Sequence, residues 1–232
     1  MTSLYDNIIF GPIRSRRLGL SLGVNLLPIE SKLCSFDCIY CECGWNKDGI
    51  SDNVFPRLGD VAAALEAKMR AVLAEGKNVD SITFSGNGEP TMNPEFAEII
   101  DVTLELRDRF FPHAKVSVLS NATLAGRPKV MEALLKVDNP IMKIDASSDE
   151  LVKKINKPTG YYSLASVVDN LRKFEGRFVL QTMFLKSADF DTAASEPLKA
   201  WMDIVRELHP REIMVYTIDR ETPDKTLGKY TV

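Results

Sequence analysis

The chain has 232 residues, 45% hydrophobic and 26% charged, which fits one globular domain with a sizeable core. A formal net charge of −3 gives no whole-chain attraction to nucleic acid or an anionic membrane, and no run of about 18 or more apolar residues is present to span a bilayer. The opening Met1–Asp6 lacks the pattern of a secretory signal, so a cytoplasmic location is expected.

In chain order, the first charged feature is Phe10-Gly11-Pro12-Ile13-Arg14-Ser15-Arg16-Arg17-Leu18-Gly19. Its arginines suit a phosphate or carboxylate as a cluster, and a solvated loop as a charge run. Lying upstream of the first strand, they are expected to start at the face opposite the active one. The next stretch, Leu22-Gly23-Val24-Asn25-Leu26-Leu27-Pro28, reads as a buried strand ended by proline.

Out of that strand comes Cys34-Ser35-Phe36-Asp37-Cys38-Ile39-Tyr40-Cys41, holding three of the four cysteines. Clustered thiols of this kind read as metal ligands in a reducing compartment rather than as a disulfide framework. Soft sulfur ligands on one short loop suit zinc or an iron–sulfur cluster, and either site, when closed by protein alone, takes four ligands. Three thiolates therefore leave one metal position open to a small molecule. Cys43 is a fourth ligand, a radical-quenching thiol or an idle residue. His113 and His209 lack metal-ligand spacing to the cysteines and read as structural or surface residues.

Trp45-Asn46-Lys47-Asp48-Gly49 reads as a turn, and Val61, Leu65, Met69 and Val72 predict a helix over 58–75 that Gly76 stops. Ser81-Ile82-Thr83-Phe84 is a short buried strand running into Ser85-Gly86-Asn87-Gly88-Glu89-Pro90, where glycines permit close backbone approach to a ligand. A helix over about 94–110, a strand over 115–119 ending at Ser120-Asn121, and a helix around Val130, Leu134 and Leu135 follow. The remaining alternation predicts strands over 141–145, 178–184 and 213–218, with helices near 163–174 and through Leu198, Trp201 and Leu208. Lys143 and Asp145 share one face of their strand, as substrate-facing groups or as a structural pair.

About six strands separated by helices make a parallel α/β arrangement with right-handed crossovers, and this suits a partial barrel better than a closed one of about 250 residues. Side chains at the carboxyl ends of such strands converge over the barrel mouth.

The spacing C-x3-C-x2-C with the aromatic Tyr40 before the last cysteine resembles the signature of the radical S-adenosylmethionine (radical SAM) superfamily. The resemblance implies a [4Fe–4S] cluster on Cys34, Cys38 and Cys41, with the amino and carboxylate groups of S-adenosylmethionine on the fourth iron. Asn87-Gly88-Glu89-Pro90 occupies the place of the family's Gly-Gly-Glu-Pro, which binds the amino group of that cofactor. Asparagine here tolerates left-handed geometry better than most residues, so the turn is expected to survive. Ser120 and Asn121 match a position that contacts the ribose or carboxylate, Gln181 one that faces the ribose, and Tyr216 and Thr217 one with main-chain contacts to adenine.

The resemblance also implies a partial (β/α)6 TIM-like barrel over about 22–218, with a segment 1–21 before it and a tail 219–232 too short for a large lid. Gly11-Pro12, Ser15-Arg16-Arg17-Leu18-Gly19 and Ser21-Leu22-Gly23-Val24-Asn25 narrow it to small proteins grouped with the wybutosine-synthesis enzymes of tRNA. With only Cys43 to spare, a second cluster is not expected. The implied activity takes an electron from flavodoxin or ferredoxin, cleaves S-adenosylmethionine to methionine and a 5′-deoxyadenosyl radical, and abstracts hydrogen from RNA, a peptide or a metabolite. A glycyl-radical-enzyme activase, a non-catalytic iron–sulfur sensor or electron carrier, and a zinc-stabilised binding module are the alternatives. No separate catalytic residue is named by the sequence.

Overall fold

In the computed structural model, which describes residues 4–48 and 54–230, the apolar runs become one seven-stranded sheet whose strands neighbour one another in chain order. The strands are β1 (Ile9–Ser15), β2 (Gly19–Val24), β3 (Ser81–Phe84), β4 (Lys115–Ser120), β5 (Asn139–Lys143), β6 (Val179–Met183) and β7 (Glu212–Tyr216). β1 pairs antiparallel with β2, and every later pair is parallel. The helices are α1 (Leu58–Ala74), α2 (Phe96–Phe110), α3 (Pro128–Lys136), α4 (Asp149–Ile155), α5 (Leu164–Arg172) and α6 (Ser195–Leu208). This is the α/β partial barrel expected from the alternation, with β2–β7 as its six parallel strands. Among the described residues, no helix is long and apolar enough to cross a membrane.

Parallel strands covered on both faces lose the alternation of half-exposed ones, and β3 is buried at every position. Its Ile82 and Phe84 share the main core with Leu22 and Val24 of β2, Val116 and Val118 of β4, and Val61, Leu65, Met69 and Val72 of α1. A second, smaller cluster gathers Phe36, Cys38, Ile39 and Tyr40 with Val152 and Ile155 of α4 and with Met183 and Leu185. The cysteine loop is therefore packed as core.

Several expectations are corrected. The first part of the arginine stretch is not a loop: β1 carries it as an edge strand as far as Ser15, with a register shift between Phe10 and Ile13 that accommodates Pro12, while Arg16 and Arg17 lie exposed in the turn that follows. The first parallel strand ends at Val24 rather than Pro28, because the Asn25 side chain binds both Leu27 N–H and Leu27 C=O and turns the chain. β5 lies two residues earlier than 141–145. Beyond Lys143 the Asp145 carboxylate takes the Met183 N–H (2.8 Å), a donor that a continued ladder would use. α4 was not foreseen, and Gly49 of the expected turn lies outside the described residues.

β1 places its two ends far apart in function. Tyr5, just before it, meets Asn87 at the carboxyl end of β3. The β1–β2 turn reaches the other edge of the sheet, where Arg16 pairs with Asp219 and Arg17 lies 4.9 Å from the Tyr216 ring centre.

Candidate metal and cofactor site

The cysteine loop is tied down at three places. At its root, Leu33 N–H donates to Asn87 C=O (2.8 Å) and Glu89 N–H to Leu33 C=O (3.2 Å), joining it to the loop after β3. At its middle, the carboxyl end of α4 accepts from it: Asp37 N–H donates to Asn156 C=O (2.8 Å) and Ile39 N–H to Ile155 C=O (3.0 Å). On its far side, the buried Lys32 ammonium donates to Asp37 (3.0 Å) and to Gly44 C=O (2.9 Å). Gly88, at φ +145°, allows the root contact, since a Cβ there would fall 1.8 Å from Leu33 O.

Cys34, Cys38 and Cys41 line a cavity of about 270 Å³ at the carboxyl ends of the parallel strands, together with Tyr40, Glu89, Ser120, Asn121, Lys143, Gln181 and Tyr216. Amide donors approach two of the sulfurs: Phe36 N–H (3.4 Å) and Asn121 Nδ2 (3.6 Å) at Cys34, and Asn156 Nδ2 (3.4 Å) at Cys38. Glu89 is buried, and its Oε1 accepts from Thr91 N–H, Thr91 O–H and Ser120 O–H. Its Oε2 accepts only from Asn121 N–H (2.6 Å), which leaves acceptor capacity on that oxygen.

Opposite lies a polar network on Asp145. Its Oδ2 accepts from Tyr40 O–H and from Asn156 Nδ2 (2.8 Å), and its Oδ1 from Met183 N–H (2.8 Å). Lys143 Nζ stands 3.7 Å from Oδ1, beyond hydrogen-bond reach, and donates to Tyr216 O–H (2.5 Å).

Burial pushes the Cys34 thiol up, with the Glu89 charge adding to it, and pushes Cys38 up to about 11, with Asp145 adding. Cys41 is held down instead, first by the hydrogen bond from the Cys43 thiol and then, against burial, by the Lys32 and Lys143 charges. Burial raises Glu89, although its four donors oppose that shift. For Lys143 burial acts downward, but the Asp145 charge and Tyr216 outweigh it and keep the amine protonated.

Of the residues singled out from sequence, the structure brings Cys34, Cys38, Cys41, Tyr40, Gly88, Glu89, Ser120, Asn121, Gln181 and Tyr216 to this one cavity. It does not bring Asn87. That side chain is fully buried behind the loop, accepting from Tyr5 N–H (2.8 Å) and donating to Tyr5 C=O (2.8 Å) and Pro28 C=O (2.9 Å). The positive-φ positions of the turn are Gly86 and Gly88, not Asn87, so the expected left-handed asparagine is not used. Tyr216 lines the cavity, with its hydroxyl accepting from Lys143.

Lys32 and Asn156 are the site residues that sequence reasoning missed. Nothing in the local pattern marks Lys32. Asn156 was within reach, because Ser148-Asp149-Glu150 is a helix-start signature and Lys153-Lys154 a helix-end one, and α4 does begin with Ser148 Oγ accepting from Leu151 N–H.

Residues 31–191 match the Radical SAM superfamily. A UPF0026 protein of Methanocaldococcus jannaschii is 29% identical over 94% of this chain and 65% of its own length, and one of Helicobacter pylori (strain 26695) is 30% identical over 94% and 68%. A GTPase Obg of Brachyspira hyodysenteriae is 29% identical, again over 94% of this chain, which spans only 31% of that relative. Among solved structures, a radical SAM methyltransferase from Sphaerobacter thermophilus superposes with a TM-score of 0.66 at 16% identity, covering 91% of this chain and 60% of its own. TYW1 with a lysine–pyruvate adduct gives 0.62 at 14% identity, covering 89% and 67%. These structural likenesses carry the fold, while the family match covers the cysteine loop, the Glu89 turn and the strands β3 to β6. The chain belongs to the radical SAM superfamily.

Proposed function

We propose that this protein is an enzyme that binds one [4Fe–4S] cluster and S-adenosylmethionine in the described cavity and performs hydrogen abstraction on a substrate entering from the open side of the barrel. One observation carries the reading: three thiols of one loop share a cavity with a buried carboxylate that keeps a free acceptor position. The donor set fits the cluster. All three candidate ligands are sulfur, and backbone and side-chain amides already point at two of them, as cluster-bound sulfur requires.

Cys34, Cys38 and Cys41 would hold the cluster, and the reduced cluster would supply the electron that splits S-adenosylmethionine into methionine and a 5′-deoxyadenosyl radical. The rest of the site binds and orients. Glu89, fixed by Ser120, Thr91 and Asn121, offers Oε2 to the cofactor's amino group. Asn156 holds both the Cys38 sulfur and Asp145, coupling the cysteine loop to the opposite wall. A flavodoxin- or ferredoxin-type donor supplies the electron. The test is anaerobic reconstitution with iron and sulfide, then S-adenosylmethionine and dithionite, following 5′-deoxyadenosine beside Cys38→Ala. Formation by the wild type alone supports the reading; zinc in place of iron after anaerobic purification overturns it.

A further inference from the structure

Resting on that reading, we propose that Lys143 and Gln181 form a carboxylate-binding cradle in the cavity wall, so that the substrate is an acid whose carboxylate is held there beside the site of hydrogen abstraction. The two residues are direct partners across β5 and β6. On a parallel pair this puts their side chains next to each other on one face, and both line the cavity.

Their donors are unspent. A lysine ammonium has three N–H groups, and Lys143 uses one, on Tyr216. Asp145 is ion-paired with it at 3.7 Å but takes no hydrogen bond from it, since its oxygens already accept from Tyr40, Asn156 and Met183. Gln181 is 7% exposed, and the one hydrogen bond of its side chain among the described residues is Tyr216 O–H donating to Oε1 (3.4 Å). The sequence Lys143 to Tyr216 to Gln181 fixes the direction of this short chain. It leaves Oε1 as the bonded end of the amide and Nε2 without a partner among the described residues. An amide donor and an ammonium with N–H groups to spare, side by side on the cavity wall, form a ready site for an acceptor.

The charges select the acceptor. The Lys143 ammonium lies 5.1 Å from the Tyr216 ring centre on the cavity side, and a cationic donor beside an amide N–H suits an anionic acceptor. Two N–H donors from neighbouring strands match the two oxygens of a carboxylate.

The experiment uses the full chain, anaerobically reconstituted and saturated with S-adenosylmethionine, with lysine labelled at 13Cε. Acetate is the probe at constant ionic strength, and the Lys143 signal is identified with Lys143→Arg. A saturable acetate shift of that signal is expected, weakened about tenfold in Gln181→Leu, the loss typical of one charge-assisted or buried hydrogen bond. Lys143→Met should abolish acetate's slowing of 5′-deoxyadenosine formation, and Lys143→Arg should restore it. No saturable shift, or displacement of acetate by inorganic phosphate at lower concentration, overturns the carboxylate assignment. A fall in S-adenosylmethionine affinity in Lys143→Met as large as the loss of acetate also overturns it, because the cradle then serves the cofactor. Iron content and cofactor binding are read on the same wild-type samples. Their failure would count against the radical reading, whereas intact loading without an acetate response counts against the cradle alone.

Discussion

Asn87 stands where the family's motif has a glycine, and Asn87→Ala tests whether its side chain is a cofactor contact or a tether. If the side chain serves the cofactor, the variant should lose affinity and keep its stability. The structure predicts the reverse. Its fully buried amide makes three hydrogen bonds, to Tyr5 N–H, Tyr5 C=O and Pro28 C=O. At about 1 kcal/mol net for each, the loss is about 3 kcal/mol, and groups left without water would raise it. Backbone strain does not enter, because Asn87 is not at positive φ and alanine fits there. For a domain of this size the melting temperature should fall by about 6–12 °C, and the urea midpoint should fall with an unchanged m-value. The assay is urea unfolding of the cluster-free protein, paired with equilibrium dialysis of S-adenosylmethionine on reconstituted samples at a temperature where both are folded. A variant as stable as the wild type, or one that is stable enough but has lost the cofactor, would refute the tether assigned to Asn87.

Four further outcomes follow from the same geometry. Gly88→Ala drives a Cβ to 1.8 Å from Leu33 O at φ +145°, so it should cost about 2–5 kcal/mol and reduce iron loading, as read by denaturation and iron analysis. Lys32→Met removes a buried ammonium bonded to Asp37 and Gly44; about 1–3 kcal/mol of stability should be lost, and the cluster's midpoint in a redox titration should become more negative. Asp138 accepts from Val116 N–H, Lys115 and Arg107, which hold its carboxyl below the usual range against partial burial. A depressed folded value means that its stabilisation is complete above the unfolded value of about 3.9 and is lost as pH falls through the folded one. Asp138→Asn should therefore be less stable than wild type by about 1–2 kcal/mol at neutral pH, with the gap closing in urea titrations taken toward pH 3. Trp201→Phe removes an indole N–H donated to Thr182 Oγ1 (3.1 Å) beneath the site and should cost about 1–2 kcal/mol by the same unfolding assay.

What could be read from sequence tracks how local the determining physics is. The helix over 58–75 was legible because its apolar positions recur at helical spacing and Gly76, at φ +68°, ends it through its own backbone. The cysteine loop and Ser85–Pro90 were legible because ligand chemistry and glycine geometry are written in consecutive residues. β1 was not, since Pro12 and Arg14 break the strand pattern, and only pairing with β2 across a register shift makes it a strand. The end of β5 was misplaced for a similar reason: Asp145 leaves the ladder to satisfy a donor on β6, a partner 38 residues away. Asn87 shows the limit of motif reading. Its position in the turn was right, while the direction of its side chain depended on Tyr5 and Pro28, which no local pattern connects to it.

The sheet's two edges explain why this cavity is open where a closed barrel's is not. β1 and β7 do not pair, and side chains of the β1–β2 turn reach the end of β7 across the gap. Arg16 and Asp219 meet at 2.8 Å, but their side chains are 84% and 72% exposed, and a pair so solvated contributes at most about 1 kcal/mol. Arg17 against Tyr216 is also an exposed guanidinium and adds a contribution of similar size, about 0.5–1 kcal/mol. The inner face of the same tyrosine is held differently, through Lys143 and Gln181 within the cavity. Tyr216 thus stands between a weakly held outer edge and a firmly bonded inner wall.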